Sequence, residues 1–380
     1  MRKSSDLAAI GPIQFARLEA FRVRIPMLEP FRISSGEVAN KDAILVRVSD
    51  GDTFGWGESS AMAGGFYSAD TPDSCQAELI GSVLPALAGR EFPNMSELET
   101  ALDAVTGSRF VRVAVETAAW ELLARQRGVS LRSLFGIGNR PVPSGLAIGL
   151  YDSPEELWAA IERYQPHNYQ RLKIKIKCGQ DVELVAKVRS MLGDFPLFVD
   201  ANADYGLDSI DIFRQLDRYQ LMMYEQPMAK GDFEMSAELQ RSVTTPVCLD
   251  ESIESVDDVR RAIALKSCRI VNIKLQRVGG FLEAIRIVEE CVANGIALWM
   301  GTMPELGIGS AQALVLGADP AFTLPTDVEP SARWYTDDLL ASPLSLTDRC
   351  LNLTPGPGLG FAIDMERVRE YETACWCFEP

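Results

Sequence analysis

The chain has 380 residues, 47% of them hydrophobic, and its 53 acidic side chains against 37 basic ones give a formal charge of −16. This length supplies one large core or two domains, and the acidic balance argues against nucleic acid or an anionic membrane as the main partner, though not against a small anion at a locally cationic site. No uninterrupted apolar run approaches the ~20 residues that cross a bilayer.

In chain order, the opening MRKSSDLAAIGPIQ has two early cations but no long apolar middle of the kind a signal peptide carries. Together with eight scattered cysteines that show no paired zinc spacing, this predicts a cytoplasmic protein with reduced thiols. Residues 14–57 read as strands: QFARLEAFRVRI alternates, and AILVRVSDGDTFGWGES gives two strands around a turn at Asp50-Gly51-Asp52. Between them, PMLEPFRISSGEVAN is rich in turn formers and reads as a mobile loop, and AMAGGFYSADTPD as a second loop. Helical spacing follows over 75–90, 97–106 and 109–127, the last stopped by Gly128. Strands followed by helices predict an α+β capping domain over 1–140.

From 141 to 344 strands and helices alternate. Strands are predicted at 144–149, 171–176, 196–200, 221–225, 246–250, 269–274, 296–300 and 321–324. Ser153-Pro154-Glu155-Glu156 and the Ser255–Asp258 turn are helix starts. Eight such units predict a TIM-type (β/α) barrel, whose site lies at the carboxyl ends of its strands. An open doubly wound sheet would need a Gly-rich turn after its first strand, and Gly136-Ile137-Gly138 precedes a strand instead. The tail, 345–380, reads as β and turn and is assigned back to the capping domain.

Five polar residues end short apolar runs in this region: Lys175 in RLKIKIK, Asp200 in LFVDAN, Glu225 in LMMYEQP, Asp250 in VCLDES and Lys274 in IVNIKLQ. Their spacings of 25, 25, 25 and 24 residues match a strand, its helix and two loops. Side chains alternate across a strand. With Leu172, Ile174 and Ile176 facing the helices, Lys173 and Lys175 face the barrel interior, and the same parity turns Asp200, Asp250 and Lys274 inward. Charges inside a barrel are costly unless they serve one another or a metal. Asp200, Glu225 and Asp250 are hard oxygen donors suited to Mg2+, with Mn2+ as the alternative; they could instead cap helices or pair with lysines.

Lys173 and Lys175, both inward and two apart, are expected to repel, bringing Lys175 down from about 10.4 towards the range of a base. Lys274 is expected across the barrel axis. Two amines facing one carbon can remove a proton α to a carboxylate and return it from the other side, while a metal holds the ene-diolate charge. Arg277 either depresses Lys274 further or is a surface cation. His167, the only histidine, precedes the second strand, at the wrong end of the barrel, which removes His-based nucleophilic schemes.

K-I-K at 173–175, D-A-N at 200–202, E-Q-P at 225–227, D-E-S at 250–252 and N-I-K at 272–274, with PFRISSG, GWGESSAMAGGFYS, VNIKLQRVGG, SARWY and GPGLGF, resemble the enolase superfamily. More narrowly they resemble its muconate-lactonizing-enzyme subgroup, and within it the o-succinylbenzoate synthase/N-succinylamino acid racemase family. The resemblance spans almost the whole chain. It implies an enolase-like modified barrel, Asp200, Glu225 and Asp250 as metal ligands, and Lys175 and Lys274 as the acid/base pair, with Lys173 and Asn202 in support. It also implies a lid from the loops at 26–38 and 61–68, so that Phe31, Ser34, Met62 and Tyr67 meet substrate together with Met303 and Glu305. The implied substrate is a small carboxylate and the implied assembly a homo-oligomer.

The departures lie on the seventh strand, where Thr302, Pro304, Leu306 and Ser310 replace the usual pattern and Leu306 removes a hydroxyl that could have met substrate. Asp327 and Glu329 resemble the paired acids with which dipeptide epimerases hold an ammonium, or simply solvate a loop. The leading expectation is racemisation of N-acyl (N-succinyl) amino acids. The alternatives are the syn-dehydration of o-succinylbenzoate synthase in menaquinone biosynthesis, muconate cycloisomerase or dipeptide epimerase chemistry, and an inactive barrel that binds an anion.

Overall fold

The computed structural model describes residues 1–33, 36–65 and 67–380. In the cap, β1 (Arg17–Ile33), β2 (Gly36–Ser49) and β3 (Phe54–Ser59) run antiparallel in that order. Ala43–Val46 of β2 are buried, and helix α1 (Arg109–Gln126) packs on the sheet. The contact is unusually close. A Cβ at Gly57 would lie 1.8 Å from the carbonyl oxygen of Ala114, and one at Gly55 would lie 2.2 Å from that of Ala118. Glycine in β3 therefore lets the helix backbone rest on the strand.

The segment expected as a mobile loop is an extension of this sheet. Past a register shift between Pro26 and Phe31, the β1–β2 ladder resumes with Phe31 opposite Val38 and Arg32 opposite Glu37. Cross-strand pairing outweighs the turn-forming composition here. Ser34, expected from the resemblance to meet substrate, lies outside the described residues.

The barrel strands are β4 (Leu146–Ile148), β5 (Leu172–Lys175), β6 (Leu197–Asp200), β7 (Tyr224–Glu225), β8 (Val247–Leu249), β9 (Ile270–Ile273) and β10 (Ala297–Met300), parallel and adjacent in chain order. Both predicted helix starts are capped: Ser153 Oγ accepts the Glu156 N–H at 3.2 Å and Ser255 Oγ accepts the Asp258 N–H at 3.3 Å. The eighth strand expected at 321–324 is reduced to single parallel bridges, Phe322 with Leu298 and Thr326 with Ser144. These still link the last strand to the first. Pro325, between them, has no N–H to continue a ladder.

In the tail, Leu346–Thr347 pairs with Cys350–Leu351, which in turn pairs with Val142–Pro143, whereas Glu372–Phe378 pairs with β1. The inward residues at mid-depth of the barrel, Phe198, Met223, Cys248, Ile270 and Trp299, form a small apolar plug. On every one of these strands but the last, the next inward positions are polar.

Candidate active site

Above the plug, the register sets Lys175 beside Asp200 and Asp200 beside Glu225. Lys175 Nζ donates to Asp200 Oδ2 at 2.7 Å and to Asn202 Oδ1 at 2.5 Å. Lys274 Nζ donates to Asp250 Oδ2 at 2.8 Å and to the Tyr67 hydroxyl at 3.2 Å. Both lysines, each 6% exposed, line one cavity together with Lys173, Asp200 and Asn202. Lys173 donates to Asp327, which also accepts from the buried Arg171. The guanidinium of Arg171 stacks 4.6 Å from the Phe198 ring centre.

Two expectations about charge are corrected. The lysines on β5 do not face each other unpaired, because Asp327 and Glu225 serve Lys173 while Asp200 serves Lys175. Lys274 is not depressed. Burial pulls it down, but Asp250, Tyr67 and Glu251 outweigh burial and Arg277, and the ammonium is held well above its ordinary value. Arg277 is no surface cation: it is buried, bonded to Asp250, and donates to the carbonyls of Ile253 and Asn272 at 2.7 Å each. Burial would raise Asp250, yet Arg277 and Lys274 hold it well below the usual carboxylate range.

Among the described residues, no three acidic, cysteine or histidine side chains are gathered as closely as metal ligands are; ammonium groups stand between the acids. The donor set nevertheless fits a hard divalent cation. Lys173 Nζ is 3.1 Å from Glu225 Oε2 but poorly aligned, so that oxygen has no hydrogen-bond partner among the described residues. The same holds for Glu251 Oε2 and Asn272 Oδ1. Burial and the neighbouring Asp200 and Asp250 push the Glu225 carboxyl up to about 8, and burial with Asp250 and Asp200 pushes Glu251 to about 7. Buried acceptor oxygens without donors, two of them on carboxyls that burial and neighbouring acids make harder to ionise, are what a cation relieves. Asn272 Nδ2 holds the other Glu225 oxygen at 2.9 Å. Gly301 leaves room for it, since a Cβ there would fall 2.2 Å from Asn272 Oδ1.

Phe31 and Met62 from the cap and Met303 with Thr302 and Pro304 from the strand-seven loop wall the cavity, and Tyr67 and Trp334 complete it. Phe31 packs edge-on to Trp334, with centres 5.1 Å apart. Glu305 is buried elsewhere, accepting from the Thr302 hydroxyl and from the Met303 N–H. Leu306 and Ser310 do not line the cavity either: the Leu306 N–H is held by Glu58 of β3 and the Ser310 hydroxyl reaches the Glu305 carbonyl. Asp327 and Glu329 are buried rather than solvating a loop. Asp327 is taken by Arg171 and Lys173, and Glu329 accepts the Ala147 N–H and pairs with Arg333.

The sequence reading overlooked Arg171 and Glu251. Arg171 shares the parity of Lys173 and Lys175, so the same alternation could have found it. Glu251, bonded to Asn202 Nδ2 at 3.0 Å, had no signal beyond its place beside Asp250.

Residues 17–136 match the family model for the mandelate racemase/muconate lactonizing enzyme N-terminal domain, and residues 156–368 match that for the enolase C-terminal domain-like fold. The chain belongs to the enolase superfamily. Within that superfamily it is 37% identical to an o-succinylbenzoate synthase of Bacillus subtilis (strain 168), over 95% of this chain and 97% of the relative. It is also 37% identical to an N-succinylamino acid racemase of an Amycolatopsis species, over 95% and 98%. An enolase-superfamily crystal structure from Listeria innocua superposes with a TM-score of 0.91 at 31% identity, covering 97% of this chain and 99% of the other.

Proposed function

We propose that this enolase-superfamily enzyme removes the proton α to a substrate carboxylate and, in its principal reaction, racemises N-acyl amino acids such as N-succinyl derivatives. The observation that carries the reading is the pair of buried amines, Lys175 and Lys274, reaching one cavity from strands separated by β6, β7 and β8. One lysine takes the α-proton as a free amine and the other, as an ammonium, delivers a proton to the opposite face. Asn202 fixes the Lys175 amine, and Tyr67 and Asp250 fix that of Lys274. Lys173, held protonated by Asp327 and Glu225 against burial, adds positive charge near the developing ene-diolate. Asp200, Glu225 and Asp250 are the residues that would hold Mg2+, with Mn2+ as substitute, and such an ion supplies Lewis-acid stabilisation of the substrate carboxylate. Asp327 is already neutralised by two cations, which speaks against its holding an α-ammonium as in dipeptide epimerisation.

The 37% identity to the Bacillus subtilis synthase equally favours a second reading, o-succinylbenzoate synthase. There Lys175 would act as base and then acid on one face, and Lys274 would stay an ammonium. Incubation with Mg2+ in D2O, with N-succinyl amino acids and the cyclohexadiene precursor of o-succinylbenzoate as substrates, separates the two by NMR. Exchange with inversion is expected for the racemase, and aromatic product without exchange identifies the synthase. Lys274→Arg should spare more of the second activity than of the first. Absence of both reactions would leave an anion-binding barrel and overturn the proposal.

A further inference from the structure

Beside the substrate cavity, towards the cap, a second chamber shares Phe31, Met62, Met303 and Pro304 with it and adds Lys41 and Tyr335. Lys41, on β2, is 6% exposed. Among the described residues its ammonium makes one hydrogen bond, a long one of 3.4 Å to the Met303 carbonyl. The acids around it are committed elsewhere. Glu58 accepts from the N–H groups of Leu306 and Gly309 and from the Ser60 hydroxyl. Glu305 serves Thr302 and Met303, and Asp42 is tied to Arg22 and Arg24. Burial lowers the pKa of Lys41, against the more distant attraction of Glu58, Glu305 and Asp42. A buried ammonium is costly without a close counter-ion; Lys41 has none among the described residues, and it stands directly behind the loop that walls the substrate cavity.

We infer that Lys41 is the counter-ion for a second carboxylate of the substrate, one that passes between the side chains of Met62 and Met303 into this chamber. The inference rests on the cavity being the place of α-proton abstraction. Methionine side chains are unbranched and flexible, so the shared wall can part for a slender chain. A terminal carboxylate could reach Lys41 from the N-acyl arm, as in a succinyl group, or from an acidic amino-acid side chain. Both present the same anion a few bonds from the α-carbon.

The test compares wild type, Lys41→Met and Lys41→Arg, each loaded with Mg2+ and checked by circular dichroism, with Lys41→Gln as a second neutral variant should the methionine variant not fold. The substrates are N-acetylmethionine, N-succinylmethionine and N-acetylglutamate, read by α-hydrogen exchange in D2O. The neutral variant is expected to raise KM for one dicarboxylate by about tenfold or more, to leave N-acetylmethionine within about twofold, and to be rescued by Lys41→Arg. Loss on N-succinylmethionine identifies the acyl arm, and loss on N-acetylglutamate the side chain. An equal loss on all three substrates, or no change on any, overturns the inference while leaving the proton chemistry standing. Calorimetric binding stays informative even without exchange. Wild type should bind the dicarboxylate more tightly than N-acetylmethionine, and the neutral variant should bind both alike; a preference that survives in the neutral variant refutes the role of Lys41.

Discussion

Asp327 is the residue on which most of the interior charge turns, because it serves Arg171 and Lys173 at once. Burial would raise its pKa, but those two cations hold it down at about 2. Asp327→Asn leaves two buried cations short of a counter-charge and is expected to cost about 3–5 kcal/mol, seen as a lower urea midpoint. Arg171→Met, which leaves Lys173 its partner, should cost less; equal losses would mean that Asp327 does not couple the pair. Glu116 is a different case. Burial pushes its carboxyl up to about 7, against the N–H groups of Phe281 and Leu282 and the Trp120 indole that it accepts from. A carboxyl that ionises less readily when folded stabilises fully below its ordinary value of 4.5 and loses that contribution as pH rises through the folded value. Between pH 5 and 7.5 wild type should therefore lose more stability than Glu116→Gln, and identical slopes would refute this. At this scale, alternation in the sequence marked Lys173, Lys175, Asp200 and Lys274 as inward, since parity depends on the strand alone. It did not show which acid each lysine meets. Those partnerships are made across strands and through Asp327, over 150 residues away from Lys173.

The extension of β1 and β2 shows the same limit for whole elements. Its prolines and glycine read as a loop, and only cross-strand pairing reveals a ladder up to its tip. The extension is fastened to the first β/α unit: Glu29 accepts from the Tyr151 hydroxyl at 3.0 Å, from the Tyr164 hydroxyl and from Arg163, and the Leu150 N–H reaches the Arg32 carbonyl at 3.1 Å. Glu29→Ala removes one side of this latch and should loosen Phe31 over the cavity. A KM increase of roughly three- to tenfold with an unchanged melting temperature is expected; a fall in stability with KM intact would make the contact structural only. The eighth strand expected at 321–324 is reduced to single bridges for a related reason. A run of two apolar residues ahead of Pro325 carries too little pattern to distinguish a strand from a pair of bridges.

For the molecule as a whole, the regular spacing of five polar residues was enough to foresee a barrel, because strand and helix lengths are fixed by backbone geometry. How cap and barrel join was not legible, since it depends on single buried groups. Glu58 of the cap accepts the N–H groups of Leu306 and Gly309, and Gln276 donates to the Glu58 carbonyl while accepting from Ser60. Buried polar links of this kind should make the two parts unfold together. A divalent ion bound only by the folded chain stabilises by mass action, about 2.7 kcal/mol at a hundred times its Kd. Saturating Mg2+ should accordingly raise the melting temperature of wild type but not of Glu225→Gln, and an equal rise in both would remove Glu225 from the metal site.

The C-terminal strand pairs with β1 from Leu18 to Val23, and the far end of that same β1 holds Phe31 above Lys175, the ring centre 5.9 Å from its Nζ. The chain's last residues and the aromatic ceiling over Lys175 thus lie towards opposite ends of one strand, joined across the register shift between Pro26 and Phe31. A tag, a proteolytic nick or a lost edge at the terminus would be transmitted along it, and would surface as altered catalysis in a pocket whose own walls are untouched.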